Sequence, residues 1–215
     1  MADMSPTPSD SRSLRLAGLI SGGGRTLLNV QDLIERGQLP AQLSLVLASR
    51  PCPGVERLRA RGVTVDLIPA EARVRPAALS AAITERLDQA QPDLVVMAGF
   101  LSLWLIPENY YGRVMNIHPA LLPSFGGQGM YGQRVHEAVL GRGCKVSGCT
   151  VHFVNNRYDE GPIIVQRAVE VAEDDTAETL AQRVFEQECI AYPEAISLYA
   201  QGRLEIHGQR VRIGQ

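Results

Sequence analysis

Short, nearly uninterrupted apolar runs alternate with amphipathic stretches through the first half of the chain. Leu14–Ile20 is apolar and is followed by Ser21-Gly22-Gly23-Gly24 and a helical pattern over Thr26–Arg36. Leu43–Ala48 precedes a helix around Val55–Arg61, and Thr64–Ile68 precedes a longer one over Pro76–Gln89. A fourth run, Asp93–Ala98, reads Asp-Leu-Val-Val-Met-Ala. Runs this continuous, separated by helices, predict parallel strands covered on both faces. Right-handed crossovers between them give a doubly wound, mostly parallel, Rossmann-like α/β sheet.

The second half changes character. Val114–Ile117 predicts another buried strand ending in His118-Pro119, after which a loop rich in Gly and Pro runs to about Gly132. A short helix is predicted over Gln133–Leu140. Gly148–Val154 and Pro162–Val171, joined by a turn-rich link, predict an antiparallel pair added to the sheet. Asp174-Asp175-Thr176 offers N-cap side chains and first-turn acids to a long helix, Thr176–Gln201. Pro193 inside it predicts a kink or a split, since proline brings no N–H and crowds the carbonyl four residues back. The alternating tail, Leu204–Ile213, predicts an edge hairpin. Residues 1–13, polar and proline-bearing, are expected to form a disordered arm, and residues 14–215 a single domain without linker or repeat.

Composition narrows the class. With 45% hydrophobic and 20% charged residues, the chain can build a sizeable core, and disorder throughout is excluded. Lys plus Arg number 21 against 23 Asp plus Glu, a formal charge of -2, so no global field favours nucleic acid or an anionic membrane. The longest greasy stretch, Leu94–Ile106, is broken by Gly99 and Ser102 and is too short to span a bilayer. The N-terminus lacks the apolar segment of a signal peptide, so a cytoplasmic protein is expected. Cys52, Cys144, Cys149 and Cys189 form no C-x-x-C pair, which agrees with a reducing compartment. His118, His136, His152 and His207 show no short metal-ligand spacing, so no metal is expected.

Three segments carry candidate chemistry. In the first, glycines between strand and helix let backbone N–H groups approach a ligand, and the helix N-terminus contributes about +0.5 charge, which favours a phosphate. Gly22, Gly23 and Gly24 form that loop, with Arg25 and Thr26 as rim donors. The dinucleotide fingerprint fails here, because Leu27 stands where a third glycine is needed and Ser49-Arg50 where an acid should end the second strand; NAD is not expected. The Walker pattern fails for want of lysine. A mononucleotide or sugar phosphate remains, against the plainer reading of a tight turn.

The second segment is Asn116-Ile117-His118-Pro119-Ala120-Leu121-Leu122-Pro123. Residues two apart in a strand face the same side, so Asn116 and His118 project together at a strand's carboxyl end. An amide beside an imidazole suits a developing oxyanion and proton transfer near neutral pH. The third segment is Tyr158-Asp159-Glu160-Gly161-Pro162. Asp159 is either a turn-former or, if the added strands lie against His118, a carboxylate that raises the imidazole pKa. His152 is read as core or site-facing, Trp104 as pocket wall or core, and Cys144 and Cys149 as core.

These blocks, together with Ser21–Leu27, Asp93–Phe100, Thr150–Val154 and Gln187-Glu188…Ala191-Tyr192-Pro193, resemble in order and spacing the phosphoribosylglycinamide formyltransferase family. The resemblance spans about residues 14 to 207. It implies a direct transfer of formyl from 10-formyltetrahydrofolate to the amine of glycinamide ribonucleotide, with Asn116, His118 and Asp159 as the catalytic trio and the Gly22–Thr26 loop on the ribose phosphate. Glu188 then contacts the acceptor, and the formyl-folate lies along Leu101, Leu103, Trp104 and Leu105 and the Asn155, Asn156, Arg157, Tyr158 loop, with Arg75, or its neighbour Arg73, beside it. It also implies a cis Leu122–Pro123 bond. A monomer or homodimer is expected.

The chain departs from the family at Gly22-Gly23-Gly24-Arg25-Thr26, where Gly-x-Gly-Ser-Asn is common, and in a longer Phe125–Val135 segment. Other acceptors, such as a nucleotide amino sugar, and the related formyltetrahydrofolate hydrolases are the alternatives. Methionyl-tRNA formyltransferases carry an added C-terminal domain for which few residues follow Gly202, and a silent binding module does not account for Asn116, His118 and Asp159 together.

Overall fold

The computed structural model describes residues 13–214; apart from Ser13, the expected N-terminal arm lies outside the described residues. Among the described residues, nine strands form one sheet in the order β3-β2-β1-β4-β5-β6-β7-β9-β8. Five of them, β1 (Leu14–Ile20), β2 (Ala41–Ala48), β3 (Val65–Leu67), β4 (Leu94–Ala98) and β5 (Val114–His118), run parallel. The antiparallel pair β6 (Val146–Phe153) and β7 (Ile163–Glu170) extends the sheet from β5. The tail forms the expected edge hairpin, β8 (Leu204–His207) and β9 (Arg210–Ile213), parallel to β7 through one pairing.

The two-residue side-chain period of β1 divides the core between the two faces of the sheet. Leu16 and Ile20 point to the face covered by α1 (Arg25–Glu35), α2 (Pro53–Arg59), α4 (Gln133–Gly141) and α5 (Ala177–Ala200), among Leu27, Val30, Leu58, Val139, Leu180 and Val184. Ala17 and Leu19 point to the other face, where α3 (Pro76–Ala90) packs Leu79, Ile83 and Leu87 with Trp104. Both faces are covered, which is why the strands read as continuous apolar runs.

The long helix is not split at Pro193; it runs 24 residues through it. Proline leaves the carbonyl of Cys189 without its helical donor, and the Asn29 amide of α1 donates to that oxygen at 3.0 Å. The tertiary contact therefore supplies the hydrogen bond whose loss predicted a break. One turn away, Tyr192 is fully buried and its hydroxyl lies 2.9 Å from Met97 O and 3.0 Å from Met115 O. This pins α5 to the ends of β4 and β5. Thr176 caps α5 reciprocally with Thr179, as the acidic-polar lead-in predicted. Among the described residues, no helix is long and apolar enough to cross a membrane.

Candidate active site

The strand order reverses between β1 and β4, and in open α/β sheets such a point, at the carboxyl ends, is where ligands bind. A cavity of about 850 Å3 lies there. Gly22 to Thr26 line one part of it and Asn116, His118 and Asp159 another; the Gly127–Arg134 segment and Ala177, Gln182, Phe185 and Glu188 of α5 complete the wall.

The glycine loop is built from behind as well as in front. Gly24 opens α1 at φ 66°, a left-handed conformation glycine adopts freely, and no side chain caps the helix. Its first-turn amides and positive end are thus left to a ligand. Gly54, at the start of α2, buttresses the loop: its N–H donates to Gly22 O at 3.1 Å. A Cβ at Gly54 would stand 2.6 Å from Gly22 O and 3.0 Å from Gly24 N, so only glycine lets the two segments meet. Ser21 Oγ, 2.6 Å from Ser49 Oγ, also accepts from Leu101 N at 3.0 Å, which ties together the segments after β1, β2 and β4.

On the α5 side, Thr26 Oγ1 donates to Glu188 Oε2 at 3.3 Å. Burial pushes the Glu188 carboxyl up to about 7, against the opposing pull of Thr26 and Arg25. The Arg25 guanidinium packs 3.8 Å above the Phe185 ring and donates to Gln182 Oε1 at 2.9 Å.

The second cluster follows from strand register. Antiparallel pairing of β5 and β6 sets His152 directly opposite Asn116, and Asn116 Nδ2 lies 3.2 Å from His152 Nε2. His152 Nδ1 faces Phe153 O at 2.8 Å; a carbonyl only accepts, so Nδ1 carries the proton and Nε2 accepts from the amide. Asn116, whose amide has a second N–H, lines the cavity. His118 is arranged likewise. Its Nε2 donates to Phe125 O at 2.8 Å, and Nδ1 stands 3.5 Å from Asp159 Oδ2. Asp159 also lies 3.7 Å from His152 Nε2 and accepts from Gly127 N at 2.9 Å. One carboxylate thus bridges two imidazoles and the start of the glycine-rich loop.

Backbone conformation is unusual at the same place. Phe125 (φ 55°) and Asp159 (φ 58°) are non-glycine residues in the left-handed region, and both touch His118. Such conformations persist where surrounding structure over-determines them, often at functional sites. The Leu122–Pro123 bond is cis, as the resemblance implied. Thr150 clamps that turn, donating to Ala120 O at 2.7 Å and accepting from Leu122 N at 3.0 Å.

Electrostatics qualify the expectation that Asp159 raises the His118 pKa. Burial depresses it and outweighs the opposing pull of Asp159 and the Phe125 carbonyl, so the net direction is downward. For Asp159 itself, burial acts upward, but His152, His118 and the Gly127 amide prevail and hold the carboxyl below the usual carboxylate range. The site therefore presents a carboxylate beside a weakly basic imidazole. Burial pushes the Cys149 thiol up to about 12 and that of Cys189 up to about 11, so neither is a thiolate at neutral pH. Among the described residues no group of three His, Cys, Asp or Glu side chains is placed to hold a metal ion.

The residues expected along a folate divide. Leu101 and Tyr158 line the cavity, whereas Leu103, Leu105 and Arg75 do not. Trp104 is core: it is 1% exposed, its Nε1 donates to Thr84 Oγ1 at 3.1 Å, and its ring meets Tyr110 edge-on at 5.2 Å. Asn155 is occupied in a turn, accepting from Arg157 N at 2.9 Å; Asn156 accepts from Ile106 N at 2.7 Å; exposed Arg157 pairs with Glu160. These three shape the loop that presents Asp159 and stand outside the cavity.

Other lining residues carry weak sequence signals. His136 is 4% exposed, lines the cavity, and its Nδ1 has no hydrogen-bond partner. Burial, then the neighbouring His118, lowers its pKa. A buried N–H without acceptor is costly, so the proton belongs on Nε2, making His136 a neutral donor. Its place in a short amphipathic helix gave no sign of this. Gln182 and Phe185 read as ordinary helix positions.

Residues 14–196 match the family model described as formyl transferase. A chloroplastic phosphoribosylglycinamide formyltransferase of Arabidopsis thaliana is 35% identical over 209 residues, covering 95% of this chain and 72% of the relative. The Escherichia coli (strain K12) phosphoribosylglycinamide formyltransferase is 33% identical over 198 residues, covering 90% and 91%. Glycinamide ribonucleotide transformylase 1 of Symbiobacterium toebii superposes with a TM-score of 0.89 at 40% identity over 100% of both chains.

Proposed function

The chain belongs to the formyl transferase family, and from that premise we propose that it moves the formyl group of 10-formyltetrahydrofolate onto the primary amine of glycinamide ribonucleotide, a step of purine biosynthesis. One observation carries this reading: the uncapped glycine loop and the Asn116–His118–Asp159 cluster line a single cavity. A phosphate at the loop directs the other end of a phosphorylated amine toward the amide and imidazole.

The acceptor nitrogen attacks the formyl carbon, and the carbonyl oxygen becomes a tetrahedral oxyanion. The second N–H of Asn116 and a proton on His118 Nδ1 meet that charge. Removing one such donor elsewhere has cost about 2.7–4 kcal/mol. Burial lowers the His118 pKa in the resting site, and the growing oxyanion beside it raises proton affinity as the transition state forms. Asp159 receives the proton released by the attacking amine, directly or through water, and passes it on to the folate nitrogen, which leaves as a neutral amine as its C–N bond breaks and the formyl carbonyl re-forms. No oxidation state changes, so the chemistry asks for no NAD, and charge is met without a metal ion. Glu188, bonded to Thr26, contacts the acceptor beside the loop. Leu101 and Tyr158 border the formyl-folate, which extends from the cavity past Arg75, Leu103 and Leu105. In this reading residues 14–215 form one catalytic unit that acts on small molecules in the cytoplasm, as monomer or homodimer.

Folate absorbance followed with and without glycinamide ribonucleotide tests this. Product should form only when that amine is present. Equal turnover without amine would identify a hydrolase, turnover with a nucleotide amino sugar alone would identify a different acceptor, and no turnover would leave only a binding protein.

A further inference from the structure

Arg25 stands in an electrostatically wrong place for a helix. It is the first residue of α1, whose N-terminus already carries partial positive charge, and the first turn has no acidic residue and no side-chain cap. Cations are disfavoured there and anions favoured. Arg50 and Arg57, near the same loop, donate to the Ser21 and Gly23 carbonyls, while several other arginines are neutralised by carboxylates: Arg61 by Asp32 and Glu35, Arg183 by Asp175, Arg167 by Glu194. Arg25 instead has two neutral partners, the Phe185 ring 3.8 Å below its guanidinium and the Gln182 amide oxygen at 2.9 Å. The neighbouring Glu188 carboxyl bonds Thr26 rather than Arg25. A ring face and an amide oxygen orient a guanidinium without cancelling its charge. All four residues of this group, Arg25, Gln182, Phe185 and Glu188, line the cavity.

We propose that Phe185 and Gln182 are positioning residues for acceptor recognition: from α5 they hold the Arg25 guanidinium over the glycine loop as the counter-charge for a phosphate monoester. The inference rests on the proposed acceptor-phosphate site and deepens it, because the loop alone supplies only backbone donors. The dianion then meets backbone N–H groups on one side and a fixed guanidinium on the other. Arginine presents two parallel donors to phosphate, and ordering it beforehand removes part of the entropy lost on binding.

The test is calorimetric binding of ribose 5-phosphate, which needs no turnover, paired with steady-state kinetics. Phe185→Leu keeps apolar bulk and removes the ring; Phe185→Tyr keeps the ring; Gln182→Ala removes the amide. Phe185→Leu with Gln182→Ala should weaken ribose 5-phosphate about tenfold, the scale of one side chain left to be ordered on binding. The acceptor KM should rise similarly, with kcat and the formyl-folate KM within twofold, and Phe185→Tyr should behave as the parent. In an Arg25→Ala background the double change should add nothing. An equal loss in that background would mean that Phe185 and Gln182 act on the ligand or the fold and not through Arg25, which overturns the inference, as would unchanged binding in both backgrounds. Arg25-dependent binding of ribose 5-phosphate by a protein that does not formylate glycinamide ribonucleotide would sink the acceptor assignment and leave the positioning role standing.

Discussion

Asp159→Asn isolates the charge at the centre of the cluster. Asparagine is nearly the same size, keeps an oxygen for the Gly127 N–H, and tolerates the φ of 58° found there. What disappears is the negative charge 3.5 Å from His118 Nδ1 and 3.7 Å from His152 Nε2. Between full charges at 3.5 Å, with an effective dielectric constant of about 20, the interaction is about 5 kcal/mol, a ceiling because Asn retains a dipole. At 1.36 kcal/mol per decade this bounds the effect on a protonated His118 at roughly three and a half decades. General acid–base contributions of about 10²–10⁴-fold fall in the same range. The expected result is a kcat reduced by about two to three orders of magnitude, with KM for both substrates changed little and thermal unfolding near that of the parent. The assay is folate absorbance at saturating substrates across pH, with calorimetry of unfolding as the structural control. The parent should lose activity in acid as Asp159 protonates below the usual carboxylate range, and the variant should lack that limb. A kcat within threefold of the parent, or an unaltered acid limb, would refute the role given to this carboxylate.

Two further outcomes follow from groups near the site. The folded Glu188 carboxyl titrates at about 7, above its ordinary 4.5, so the unfolded chain ionises first and stability falls as pH rises between these values. Glu188→Gln should therefore show no gain in unfolding free energy at pH 4, a gain that opens between 4.5 and 7, and a constant gain of up to about 3 kcal/mol above it; a gain that shrinks with rising pH would contradict the sign. At Pro193, Asn29→Ala should cost about 1–3 kcal/mol in urea unfolding, because it orphans the Cys189 carbonyl. In a Pro193→Ala background the helical N–H replaces the lost donor and most of that cost should vanish; equal costs in the two backgrounds would show that the amide contact is incidental.

Much of this molecule was determined by local pattern. The continuous apolar runs of β1, β2 and β4 are what strands covered on both faces require, and the two-residue period placed Asn116 and His118 on one side of β5 before any contact was known. The glycines after β1 and the Pro- and Gly-bearing turns around Asp159 carried their chemistry in the same way, since backbone preference acts over a few residues.

Contacts between distant segments were decided only by tertiary packing. Trp104 reads equally as wall or core until the packing of α3 buries it against Thr84 and Tyr110. Pro193 breaks an isolated helix, yet not one that receives the Asn29 amide. The approach of Gly54 to Gly22, the pairing of His152 with Asn116, and the seating of Arg25 on Phe185 each depend on strand register or helix packing, which join residues 32, 36 and 160 positions apart. The direction of the His118 pKa depends on them too, because desolvation is a property of the whole surrounding volume, and no stretch of chain contains that volume by itself.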